Sequence, residues 1–339
     1  MFTPTLEMFA LFFNILLMCL TGTVFACEST LSNITQLTFP CMGFEKAGEA
    51  YFSPDGRKII FQAVPIGEEN YQIFTLDLEA NELVKISQEA GACTCSYFGP
   101  DGRKIIFAAS PLQAIQASPG QYKWDLTPFM NIYEANVDGT DPVALTNGPA
   151  YHAECAYSAD GSHIVYASDE DGSMNIYVMK SDGTDVRQLT HTRHCYNGGP
   201  FFSPDGNKIV FRADREVSNL LQVYMMDRDG ENLVQLTDNC HVNWAPFWHP
   251  SGKAIAYTTS VHGHHNYQIY LLNIETREEH RITFVPTFNG LPTFNREGTK
   301  LLWTSKRGSD NTSQIFIADL DIPPEWLENE NQIKLKEKS

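Results

Sequence analysis

Phe52-Ser53-Pro54-Asp55-Gly56-Arg57-Lys58-Ile59-Ile60-Phe61 recurs almost unchanged as Phe98-Gly99-Pro100-Asp101-Gly102-Arg103-Lys104-Ile105-Ile106-Phe107. Each copy reads as strand, tight turn, strand. Proline presets φ, aspartate bonds its own backbone, and glycine accepts a positive φ. The β-branched and aromatic run that follows is a buried strand. Looser copies centre on Gly161, Gly206, Gly252 and Gly298, so the turn glycines stand 46, 59, 45, 46 and 46 residues apart. The long interval carries an insertion between Pro111 and Phe129.

Working outward, every copy is followed by a third strand: Ile73-Phe74, Ile132-Tyr133, Ile176-Tyr177, Val223-Tyr224, Ile269-Tyr270 and Ile315-Phe316. A fourth ends at Ile86-Ser87, Leu145-Thr146, Leu189-Thr190, Leu236-Thr237 and Ile282-Thr283. Four strands in a period of this length make a propeller blade. No segment shows the apolar period of a helical solenoid. The last copy lacks its fourth strand, whereas Ile34-Thr35-Gln36-Leu37-Thr38 stands unclaimed before the first copy. The sequence therefore predicts an all-β, six-bladed β-propeller with four antiparallel strands per blade. The N-terminal strand completes the last blade, which removes a raw edge from the ring.

Composition narrows the function. The net charge of −17 repels polyanions, and no clustered Lys/Arg surface is present, which argues against nucleic acid as a partner. Met8 to Ala26 is uncharged and mostly apolar, and it ends in Val24-Phe25-Ala26 before Cys27. We read 1–26 as a signal peptide, 27–321 as the propeller and 322–339 as a C-terminal tail on which Trp326 can dock. An uncleaved anchor is the alternative, since the run is just long enough to span a bilayer. The expected location is exported, periplasmic or cell-surface, with the membrane touched only through an N-terminal lipid or anchor. Export permits disulfides. Cys195 and Cys240, in matched positions of neighbouring blades, are the favoured pair.

Phe202-Ser203-Pro204-Asp205-Gly206, Lys208-Ile209-Val210-Phe211, Gln222-Val223-Tyr224-Met225-Met226-Asp227 and Gln235-Leu236-Thr237 resemble the repeats of TolB and of the propeller domain in prolyl-oligopeptidase relatives. The resemblance spans roughly Ile34 to Asp321. Val242 to Pro250 and Thr259 to Tyr267 look closer to bacterial TolB-like proteins of unsettled function. Val24-Phe25-Ala26-Cys27 resembles a bacterial lipobox, which makes Cys27 a candidate for lipidation. The resemblance implies a periplasmic binding propeller. TolB itself carries a further N-terminal domain, and the peptidases a hydrolase domain with a Gly-x-Ser-x-Gly elbow. Neither is expected here.

Aligning the copies on the turn glycine identifies the candidate site. Nine positions before it stand Ala47, Cys93, His152, Asn197, Asn243 and Asn289; seven before it stand Glu49, Cys95, Glu154, Gly199, Ala245 and Leu291. These positions belong at the channel mouth. His152, Glu154, Asn197, Asn243, Asn289 and Glu49 are the expected ligand-binding residues. The alternative is that the polar side chains cap their own tight loops. His262 and His264 form a candidate divalent-metal pair on the same face. A resemblance to oligogalacturonate lyases would use that pair with Gln268, and Arg193, Arg215 and Arg307 to bind carboxylates. The function expected first is non-catalytic: a channel mouth that binds an envelope protein or a small ligand. The metal-dependent carbohydrate lyase is the second reading.

Overall fold

The computed structural model describes residues 28–87, 91–111, 126–323 and 326–327. The leader, Cys27 and most of the C-terminal tail lie outside these residues. Among the described residues no helix is long and apolar enough to cross a membrane.

The chain opens with β1 (Leu31–Gln36) and a single 3₁₀ turn at Pro40–Met42. The first blade is β2 (Phe44–Phe52), β3 (Lys58–Pro65), β4 (Gln72–Asp77) and β5 (Leu83–Lys85). The second is β6 (Cys93–Phe98), β7 (Lys104–Ala109), β8 (Asn131–Asn136) and β9 (Val143–Ala144). The third is β10 (His152–Tyr157), β11 (His163–Ser168), β12 (Asn175–Lys180) and β13 (Arg187–Gln188). The fourth is β14 (Asn197–Phe202), β15 (Lys208–Ala213), β16 (Gln222–Asp227) and β17 (Val234–Gln235). The fifth is β18 (Asn243–Trp248), β19 (Ala254–Thr259), β20 (Gln268–Asn273) and β21 (Glu279–Arg281). The sixth is β22 (Asn289–Phe294), β23 (Lys300–Ser305) and β24 (Gln314–Leu320), and β1 is its outermost strand.

Ring closure follows the sequence. Thr35 pairs with Ile317 and Gln36 with Phe316, and Leu37 N–H donates to the Ile315 carbonyl at 2.8 Å. The fourth-strand hydroxyls show why a Thr or Ser stands there. Thr146, Thr190 and Thr237 each accept the third strand's N–H at 2.9 Å and donate to an Asn or Gln that opens that strand. In the last blade the hydroxyl comes from the other end of the chain: Ile315 N–H donates to Thr38 Oγ1 at 2.9 Å. Glu28 adds a buried tie. Its carboxylate takes both terminal nitrogens of Arg307, at 2.9 and 3.0 Å, and the Phe284 N–H at 2.7 Å.

The turn chemistry repeats as expected. Ser53 Oγ donates to Asp55 Oδ1 and accepts Lys58 N–H, and Ser158 and Ser203 do the same in their blades. Blades pack face to face through buried Ile, Val, Phe and Tyr, which form apolar clusters spanning adjacent sheets. The tail begins inside this packing. Ile322 is buried, the Trp326 carbonyl accepts Asn273 Nδ2 at 3.0 Å, and the Trp326 ring lies 5.5 Å from that of His280.

Candidate functional site: a blind funnel on the propeller axis

The six innermost strands share one irregularity. Each shifts register by one residue, in a bulge at Glu49, Cys95, Glu154, Gly199, Ala245 or Leu291. All six have left-handed backbone, with φ between 49° and 57°. Five are not glycine, so the strain is held by the architecture. The bulge turns these residues towards the axis.

Two residues deeper, Tyr51, Tyr97, Phe201 and Phe247 meet on the axis, with ring centroids 4.9 to 6.1 Å apart. They plug the channel. Above the plug a funnel of about 620 Å³ opens to the face that carries Tyr71, Tyr151, Trp244 and Phe288. The size suits a small ligand or a protruding peptide segment.

The bulge level is not symmetric, and the asymmetry makes the site. At four of the bulges the N–H bonds to the neighbouring blade. Thr258, Thr304 and Gln62, six positions after their turn glycines, supply the acceptor for Leu291, Glu49 and Cys95 at 3.0 to 3.1 Å. The corresponding residues in the other blades are Ala108, Ala167 and Arg212. An alanine cannot accept, and a guanidinium only donates. There the Gly199 N–H turns to Glu154 Oε2 instead.

Arg212 reaches the axis because Gly198-Gly199 leaves it room. A Cβ on Gly199 would overlap Arg212 Nη1, and one on Gly198 would overlap Glu154 Oε2 and the Tyr196 hydroxyl. Arg212 Nη2 donates to Glu154 Oε1 and to the Tyr196 hydroxyl, both at 2.8 Å, and Tyr196 donates to Glu154 Oε1 at 2.6 Å. The guanidinium stacks over Tyr196 and Trp244 at 5.5 and 5.9 Å. Burial opposes its charge, but Glu154 and Tyr196 outweigh burial and keep it protonated.

Glu49 sits at the same level without such support. Tyr51 Oη donates to its carboxylate at 3.3 Å, and the Cys95 thiol also bonds to it. Burial, and then the charge of Glu154, push its carboxyl up to about 7, against the opposing pull of Arg212, Tyr51 and Cys95. Cys95 and Cys155 also line the funnel, and burial raises both thiols well above their ordinary range, so neither is a ready nucleophile.

Of the residues expected from sequence, Glu49 and Glu154 line the funnel. Of the ring nine positions before the turn, Ala47 lines the funnel, whereas His152, Asn197, Asn243 and Asn289 are buried beside the strand entries; their nitrogens bond to loops and strands, and Asn243 Oδ1 has no partner among the described residues. Asn197 Nδ2 donates to the Met174 carbonyl and Thr192 Oγ1. Asn243 Nδ2 donates to Gln222 Oε1 and Asn239 Oδ1, and Asn289 Nδ2 to the Val285 carbonyl. His152 Nδ1 pairs with Ser168 Oγ at 3.0 Å. The Asn197 and Asn243 bonds reach the preceding blade, the Asn289 bond its incoming loop, and the His152 bond stays within its own blade.

His262 and His264 do not converge. His262 Nε2 meets the Tyr270 hydroxyl at 2.8 Å and His264 Nδ1 the Tyr267 hydroxyl at 3.1 Å. Among the described residues no group of three metal-ligating side chains is assembled. Gln268 Nε2 donates to Asn266 Oδ1 and the Val285 carbonyl, Arg215 to Asn197, and Arg307 is buried against Glu28. The lyase-like constellation is therefore dispersed. The expected Cys195–Cys240 bridge is absent. Both are free thiols, Cys195 Sγ facing the Arg193 carbonyl and Cys240 Sγ the His241 ring. Sequence reasoning passed over Arg212, though a charge inside Ile209-Val210-Phe211-Arg212-Ala213 was the available signal.

Residues 126–241 match the family model described as TolB beta propeller domain. An uncharacterized protein of Agrobacterium fabrum is 31% identical over 117 residues, covering 32% of this chain and 39% of its own. The Tol-Pal system protein TolB of Francisella tularensis is 31% identical over 84 residues, covering 25% of this chain and 19% of its own. The matches thus span well under half of either relative. The crystal structure of TolB from Acinetobacter baumannii superposes with a TM-score of 0.57 at 16% identity, over 82% of this chain and 64% of that one. At that identity the likeness concerns the fold alone.

Proposed function

We propose that this chain, a TolB-like six-bladed β-propeller, is an exported binding protein that performs no covalent chemistry. Its funnel accepts a small ligand, or a protruding segment of an envelope protein. The observation that supports this most is the funnel itself: aromatic walls, a closed floor, and a few polar groups converging at one level. Of its titratable side chains, Glu154 and Arg212 are bonded to each other, the thiols are held protonated, and Glu49 is read as a binding group. Periplasmic placement, a lipid on Cys27 and the identity of the partner belong to this proposal. They draw on the leader-like start and on the TolB relatives.

Thr94 lines the funnel wall beside Cys95, and Thr94→Trp narrows the funnel while keeping Glu49, Glu154 and Arg212. Native mass spectrometry of protein recovered from the export compartment tests the reading. Wild type should retain a bound small molecule or peptide, and Thr94→Trp should lose it while melting at a similar temperature. Equal retention by both proteins would sink the proposal.

A further inference from the structure

The bulge level of the funnel carries two carboxylates, Glu49 and Glu154, but one guanidinium. Arg212 is bonded to Glu154 and Tyr196 and stacked between Tyr196 and Trp244. Among the described residues no cation forms an ion pair with Glu49. A carboxylate so deeply set normally finds a cation or several N–H donors. Glu49 has the Tyr51 hydroxyl, the Cys95 thiol and open funnel. The surfaces above it are the aromatic side chains of Tyr71, Tyr151, Trp244 and Phe288, which suit a cation or an apolar stem.

We propose that the funnel recognises a protonated amine, with the ammonium against Glu49 and its hydrocarbon stem between the aromatic walls. A primary amine of a small molecule and the amino group of a peptide share this chemistry. The inference rests on the reading of the funnel as the binding site and adds the class of ligand. An anion meets two carboxylates and finds Arg212 engaged, with Lys46, over the Tyr71 ring, the other cation among the described lining residues. A neutral ligand leaves Glu49 without a counterion. The groups facing Glu49 are Tyr51 on its own strand, Cys95 on β6, Glu154 on β10 and Arg212 on β15, with Lys46 and Glu69 nearer the mouth. Among them Glu49 is the group raised to about 7, so below that pH an amine must displace its proton.

Three probes of one shape separate the possibilities: phenethylamine, phenylacetate and 2-phenylethanol, titrated by calorimetry into the full chain at pH 8. The amine should bind one-to-one and tightest of the three. Its affinity should fall about tenfold at pH 6, as Glu49 takes up its proton. Glu49→Gln should lose tenfold or more, and Glu49→Asp should keep the preference for the amine. If phenylacetate or the alcohol binds as well as the amine, or Glu49→Gln leaves the amine's affinity unchanged, the amine assignment falls while the funnel stands as a site. If none of the three binds at millimolar concentration, both the assignment and the funnel as a ligand site are overturned.

Discussion

At Glu49 the cost of an uncompensated charge has a pH signature. Burial holds its carboxyl at about 7, above the ordinary 4.5. The protonated form therefore favours the fold, and that advantage is full below about 4.5 and lost as pH rises through 7. Glu49→Gln removes the dependence. Thermal melts of the two proteins should nearly coincide at pH 4.5, and the variant should be the more stable at pH 8, by at most about 3 kcal/mol. The bound is an upper one because the carboxyl still faces the funnel. A variant that is less stable at pH 8 would contradict this placement. Arg212 behaves oppositely. Arg212→Met strands Glu154 in a buried site and should cost about 3–5 kcal/mol in chemical denaturation. Adding Glu154→Gln should return most of that loss. If the double variant is no better than the single one, the pair is not the source of the cost. Glu49 and Glu154 were legible because their phase in the repeat is fixed by the turn glycine. Arg212 was not found from that phase. Its reach depends on Gly198-Gly199, and a vacated Cβ leaves no pattern in a single sequence.

Each innermost strand is a repeated element with a bulge seven residues before its turn glycine, and that bulge sorts its neighbours. Residues seven before the turn face the axis, while those nine before it face the incoming loop. Alignment gave the phase of both rings, but the direction of the side chains depends on a register shift that composition does not reveal. Hence Asn197, Asn243 and Asn289 share the phase of a ligand ring while their amide nitrogens bond to loops and the preceding blade. Asn243→Ala with Asn289→Ala should lower stability by several kcal/mol, because loop carbonyls and the Gln222 side chain lose buried partners. Thermal or chemical unfolding reads this directly, and an unchanged midpoint would restore the two residues as ligand candidates. The regular inter-blade tie from Thr258, Thr304 and Gln62 stops where Ala108, Ala167 and Arg212 replace it. The departure from the repeat is where the site's chemistry is concentrated.

For the molecule as a whole, closure and binding share one face. Arg307 follows β23 and Phe284 precedes β22, both on the mouth side, and the Glu28 carboxylate ties the two together. Glu28→Ala leaves Arg307 buried beside Trp303 without its carboxylate, and should cost about 3–5 kcal/mol. Thr38→Val, which removes the closing hydroxyl, should cost about 1–3 kcal/mol. Neither should alter the funnel's ligand preference, so comparing melting with calorimetric binding separates ring from site. Fold and closure were readable from six turn glycines and one displaced strand because both follow from counting repeats. The site was readable only in part because it lies where repeats differ. The account stands or falls on where a bound molecule sits. Crystals of the protein carrying its co-purified ligand, or phenethylamine, should show density in the funnel, above the Tyr51, Tyr97, Phe201 and Phe247 plug and within hydrogen-bonding reach of Glu49. A ligand seated on the opposite face or along the outer strands, with the funnel holding only water, would contradict it.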